Sequence, residues 1–181
     1  MAEKVTAAKP RTAGVIYRAP LATALPTDAS TALAATYKSL GHLSEDGFTN
    51  NNSATSEDIR EMGGQVVLTV QTEKNDTFAF TLIDALESEV LKAVYGSDNV
   101  DGTLADGLTV TANAAEPEEA VWVLETIMRG GVLQRIVIPD GKVSEIGEIA
   151  YRRNEAVGYN LTITALPDAS GNTHYTYLKE A

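Results

Sequence analysis

QVVLTVQTEKNDTFAFTLIDALESEVLKAVYG, residues 65–96, decides the fold. On its first arm Val66, Leu68 and Val70 share one side of an extended chain, while Val67, Thr69 and Gln71 take the other. That two-residue period marks a strand. Lys74-Asn75-Asp76 carries turn chemistry, and beyond it Phe78, Phe80 and Leu82 alternate with Ala79 and Thr81. The reading is a hairpin that runs directly into one helix, at about 84–95. Asp84 is the expected N-cap, with Glu87 three residues on as in a capping box. Leu86, Val90, Ala93 and Val94 form one apolar stripe at helical spacing, and Gly96 stops the helix.

Working outward, nearly everything else is strand-like. Gly14–Arg18, Leu108–Ala112, Ala120–Met128, Val132–Ile138, Val143–Tyr151, Val157–Ala165 and Thr173–Leu178 are strand candidates. Arg129-Gly130-Gly131 reads as a tight hairpin connection, and Pro139-Asp140-Gly141-Lys142 as another turn. Turn signals at this spacing predict a mainly β fold: two packed antiparallel sheets, as a sandwich or barrel, with one flanking helix. Tyr37–Asp46 and Thr55–Met62 are too polar for central strands and read as the arms of an extended hairpin. Its flexible tip is placed at Gly47–Ala54 (GFTNNNSA). At 181 residues the chain is expected to form a single domain, with 1–13 a mobile arm and 19–35 a long loop around Pro20 and Pro26. ALPTDAS at 24–30 and ALPDAS at 165–170 are alike, but their flanks differ, so they read as two similar loop exits.

Fourteen basic against twenty-five acidic residues leave a net charge of −11. Nucleic-acid grip needs clustered cations, and Arg152-Arg153 is the nearest thing to a cluster. There is no cysteine, which excludes disulfides and thiolate metal sites. The N-terminal stretch lacks an apolar signal region, and no run approaches membrane-spanning length, so a soluble chain without a membrane partner is expected.

Catalytic constellations are not found. His42 and His174 have no second imidazole at metal spacing, and each reads as an exposed strand residue. Asp98-Asn99-Val100-Asp101-Gly102 imitates half a calcium loop but has Val at the third position and its Gly one place early. Glu116, Glu118 and Glu119 form one acidic cluster, and Glu145 with Glu148 another, without the aromatic platforms of a sugar cleft. Trp122 is a core or interface residue, and Gly63-Gly64 a turn or bulge. No cofactor is implied and no enzyme is read.

A long arm, an extended hairpin and a long loop are excessive for a monomer. Cyclic self-assembly would use them, with open edges finding partners in neighbouring copies. The ordered phrases GVIYRAPLATALPTDAS, YKSLGHLSEDGFTNNNS, VVLTVQTEKNDTFAFTLIDALESEVLKAVYG and GGVLQRIVIPDGKV–GYNLTITALPDASGNTHYTYL resemble the major tail tube proteins of long, flexible-tailed bacteriophages. The resemblance is strongest to those infecting actinobacteria and covers nearly the whole chain. It implies two packed sheets, hexameric rings whose inner sheets join into a barrel, and rings stacked into a tube. The tube would carry the genome without specific binding to DNA. It would meet tape measure, tail terminator and distal tail proteins, and assemble in the host cytoplasm. The same fold serves contractile tail tubes and type VI secretion tubes.

Acidic residues facing such a bore would repel DNA phosphates over roughly 8–10 Å at physiological salt. Glu45, Glu57 and Glu61 are the lumen candidates; an ordinary solvated strand face is the competing reading. Gly47, Phe48, Thr49, Asn50, Asn51, Asn52 and Ser53 are the candidates for stacking against the next ring. The alternative from another class is a monomeric β-sandwich binding module, a capsid decoration or adhesion domain, presenting Tyr175 and Tyr177.

Overall fold

The computed structural model describes residues 4–11 and 14–180. Positions 1–3, 12 and 13 of the expected mobile arm therefore lie outside the described residues. The chain runs through β1 (Ala8–Pro10), β2 (Ile16–Pro20), β3 (Lys38–Ser39), β4 (Leu43–Arg60) and β5 (Val66–Leu82) before its helix, α1 (Ser88–Tyr95). It continues through β6 (Val100–Thr103), β7 (Gly107–Val110), β8 (Glu119–Met128), β9 (Leu133–Ile146), β10 (Tyr159–Ala165) and β11 (Tyr175–Lys179). Mainly β, antiparallel and flanked by one helix, this is the fold class that the period-2 patterning predicts.

One sheet holds nine strands in the order β3-β2-β8-β9-β10-β5-β4, with β1 beside β2 on the edge of β8 and β11 beside β10 on the edge of β9. β6 and β7 form a separate small hairpin. The rings of Phe80 on β5 and Trp122 on β8 lie 6.2 Å apart, although β9 and β10 separate their strands in the ladder. The sheet therefore curls over itself, and its two layers enclose one core. Phe78, Phe80 and Leu82 enter it from β5, Leu161 and Ile163 from β10, and Trp122 and Leu124 from β8. Val90 and Val94 of α1 close it. Each such side chain contributes about 2 kcal/mol by leaving water, so this cluster dominates the fold's stability.

β8 is buried on both faces, which explains why AVWVLETIM is almost continuously apolar and does not alternate. Its second face, with Val121 and Val123, joins Tyr17, Ala19 and Val137 under Leu33 and Tyr37 of the long loop. A buried ion network pins that loop. Arg135 donates through Nε to Glu125 at 2.7 Å, and through its terminal nitrogens to the carbonyls of Asp28 (2.6 Å) and Thr31 (2.7 Å). Arg11 reaches the same carboxylate at 2.9 Å. Together with the β1–β8 ladder this ties down the described part of the expected mobile arm.

Four expectations need correction. Lys74-Asn75-Asp76 is not a turn: β5 passes straight through it, because β4 supplies a paired strand and Asp76 finds donors for its carboxylate. Gly47–Ala54 is not a hairpin tip, since Phe48–Ala54 pair with Lys74–Phe80 in mid-strand. Gly47 spends its positive φ of 69° on a bulge, where Leu43 opposes Leu82 but Phe48 already opposes Phe80.

The helix starts at Ser88, not Asp84, with Glu87 as an N-cap that makes no side-chain cap bond. The Asp84 carboxylate instead accepts from the backbone N–H and from Nδ1 of His42, both at 2.9 Å, and Leu86 stays exposed. Lastly, Pro139-Asp140 is a bulge inside β9 rather than a turn: Ala120 opposes Gly141 while Trp122 opposes Ile138. Proline has no N–H to give, and it sits where none is wanted, between the last β11 partner (Val137) and the first β10 partner (Gly141).

Candidate assembly site

β4 and β5 are far longer than the sheet that receives them. β10 covers β5 only from Thr77 to Leu82, so beyond Asp76 the two strands continue as a bare two-stranded ribbon. Every residue from Thr49 to Asn75 is exposed. Ten residues per arm extend it roughly 30 Å from the body. The turn lies at Glu61–Gln65, where Glu61 N–H donates to the Gln65 carbonyl at 2.9 Å and Gly64 takes a φ of 88°. The Gly63-Gly64 turn expected from sequence is thus the real tip.

Register assigns the faces. Glu57 pairs with Val70 and Ile59 with Leu68, so those four share one side. Ser56 pairs with Gln71 and Asp58 with Thr69, and these take the other. The polar side satisfies itself in part: Thr69 Oγ1 donates to Asp58 at 2.8 Å. The apolar side has no cover among the described residues, with Leu68 54% and Ile59 51% exposed. Hairpins of two strands are marginal in water on their own. Here both outer edges also present unpaired backbone groups along the ribbon. The arrangement can bind an extended or flat protein surface, and it lacks the enclosure needed to hold a small molecule.

The structure scatters the three acidic lumen candidates. Glu45 lines a groove at the ribbon's base with Lys9, Pro10, Leu43 and Gln134. Glu57 sits mid-arm on the apolar side and Glu61 at the turn. Gly47–Ser53 lie at the root, in the ladder. Sequence reading missed Asp76, which is 1% exposed, and the Arg135–Glu125 pair. Arg135 and Glu125 do leave a signal, two opposite charges in otherwise apolar central strands.

His174 is not an exposed strand residue. Its Nδ1 lies 2.6 Å from Asp76, and its ring meets Phe78 edge-on. Thr173 Oγ1 donates to the same carboxylate rather than to the imidazole, so the hydroxyl is not activated as a nucleophile. Of the other acidic residues, Glu118 is held by Arg18 and Ser97, and Glu116 by Lys142. Tyr175 and Tyr177 stack on each other half-buried, and Tyr175 donates to Asp168 at 2.6 Å, so the aromatic pair of the binding-module alternative is only partly exposed. Among the described residues no helix is long and apolar enough to cross a membrane.

A curled β subunit that exposes a long amphipathic ribbon defines a class: proteins that complete themselves against other protein surfaces. The family model for phage tail tube proteins matches residues 3–181, and the chain belongs to that family. It is a structural component of the virion tail that assembles with itself into the tube and contacts other tail proteins. Among curated proteins, none matches this sequence.

Proposed function

We propose that the chain closes into hexameric rings that stack into the tail tube, and that the ribbon is the element that joins one copy to the next. The observation that carries this reading is the uncovered apolar side formed by Ile59, Leu68 and Val70. In a ring it docks on the neighbouring subunit, and the turn at Glu61–Gln65, rather than Gly47–Ser53, reaches the adjacent ring. The finished tube conducts the genome, assembles in the host cytoplasm, and meets tape measure, terminator and distal tail proteins along its bore and at its ends.

Face assignment also refines the bore. Glu57 shares its side with the docking residues, so the polar side carrying Ser56, Asp58, Thr69 and Gln71 is the one that turns to water. Asp58 joins Glu45 and Glu61 as the carboxylates offered to passing DNA.

Electron microscopy of the purified protein tests the proposal. Wild-type chain should form tubes of uniform width at high concentration. The double variant Ile59→Thr/Leu68→Thr, which keeps strand propensity and adds no charge to this cross-strand pair, should stay monomeric with an unchanged melting temperature, because both positions are solvent-exposed in the isolated subunit. Tubes from the variant would remove the ribbon from the interface.

A further inference from the structure

Asp76 occupies the point where the ribbon leaves the body: β10 pairing begins at the next residue, with Thr77 opposite Thr164. Its carboxylate is buried, yet nothing in the self-assembly surface uses it. Oδ1 accepts from Asn50 Nδ2 at 2.7 Å, across the ladder on β4. Oδ2 accepts from Thr173 Oγ1 at 2.5 Å and from His174 Nδ1 at 2.6 Å, on the segment entering β11. A carboxylate can only accept, so the Nδ1 of His174 carries the proton. Three elements thus converge on one buried anion: the outgoing arm, the returning arm and the C-terminal segment.

A buried charge is a poor device for stability alone, since desolvation offsets most of what its partners return. Its strength is directional. Charge-assisted hydrogen bonds are short and geometrically demanding, and a buried network admits few arrangements. The base of the ribbon needs such a constraint. Beyond Asp76 only the β4–β5 ladder carries the strands, and a two-stranded ladder twists and bends readily.

We propose that Asp76, with Asn50, Thr173 and His174, forms a latch that fixes the direction of the ribbon and makes it depend on the docked C-terminal segment. Asp76 is a positioning residue: the ribbon makes the contacts, and the latch aims them. Displacing Thr173–His174 would free the ribbon without unfolding the core, to which neither residue contributes a buried apolar side chain.

The chain contains no cysteine, so spin labels can be placed at will. With Met62→Cys at the tip and Glu145→Cys on the exposed side of β9, pulsed electron-spin distances are read in subunits diluted with unlabelled chain. The parent should give one narrow distance distribution. Asp76→Asn should broaden it about twofold, as expected for a locally released element, with the core melting transition retained. Thr173→Val/His174→Phe removes the same donors from the other side, should act alike, and serves if Asp76→Asn does not fold.

A broad distribution in the parent, or unchanged widths in the variants, overturns the latch. Its consequence for assembly rests on the proposed docking of the ribbon on a neighbouring subunit, and the two can fail separately. A narrow parent and broadened variants, with tubes still formed by Ile59→Thr/Leu68→Thr, would keep the latch and discard the docking of the ribbon on the neighbouring subunit.

Discussion

Trp122 and Gly141 face each other across the β8–β9 bulge, and the indole N–H donates to the Gly141 carbonyl at 3.0 Å. A Cβ at 141 would stand 2.6 Å from Trp122 Cδ1 and 3.0 Å from a methyl of Ile163. Neither neighbour is a flexible chain end, so Gly141→Ala overpacks the centre of the core. The expected cost is about 1–3 kcal/mol, read as a lower melting temperature in a thermal scan, and an unchanged melt would contradict the packing. The sequence does not reveal this contact. It shows Gly141 within a Pro-Asp-Gly-Lys string, which reads as a turn until the pairing of β8 with β9 brings a tryptophan against it. Asp76 is hidden for the same reason. Its donors at Thr173 and His174 lie 97 and 98 residues away in the chain, so local turn chemistry was the only information available.

At the scale of elements, legibility followed what decides each strand. Phe78, Phe80 and Leu82 alternate because one side of β5 is core, and the pattern was readable from residues alone. So were the Arg129-Gly130-Gly131 connection, with both glycines at positive φ, and the helix stop at Gly96. The continuous β4 was not readable. Its FTNNNS run lacks strand propensity and is extended only because β5 lies beside it, a tertiary override of local preference. The helix start slipped by a turn because Asp84 was recruited by His42, leaving Glu87 as the boundary. This changes what one deletion should do. Removing Asn50–Ser53 takes four paired residues out of the ladder, along with one Asp76 donor. The expected outcome is loss of the folded subunit, seen as a non-cooperative melt. A well-folded monomer that merely fails to stack would show that this stretch is a dispensable loop after all.

For the whole molecule, the mainly β class was legible from period-2 patterning, and the tail-tube family from the resemblance carried by the ordered phrases. The side of the ribbon that each acidic residue takes was not, because a face is defined only once register is known. Register now separates two acidic neighbours. Asp58→Lys with Glu45→Lys, which spares the turn, should leave tube formation intact and lower genome delivery, counted as infectivity. Glu57→Lys, beside Val70, should prevent tubes by placing a cation on the apolar side. Normal infectivity of the first variant, or normal tubes from the second, would reverse the face assignment. The unbroken run of β5 from ribbon into core has a mechanical corollary. A pull along the ribbon loads all the β5–β10 hydrogen bonds together in shear, and none can open ahead of its neighbours. Tethered at Met62, a subunit should rupture in one high-force event, whereas stepwise peeling would mean the strand yields locally. If it ruptures whole, bending of the tail is left to the joints between subunits.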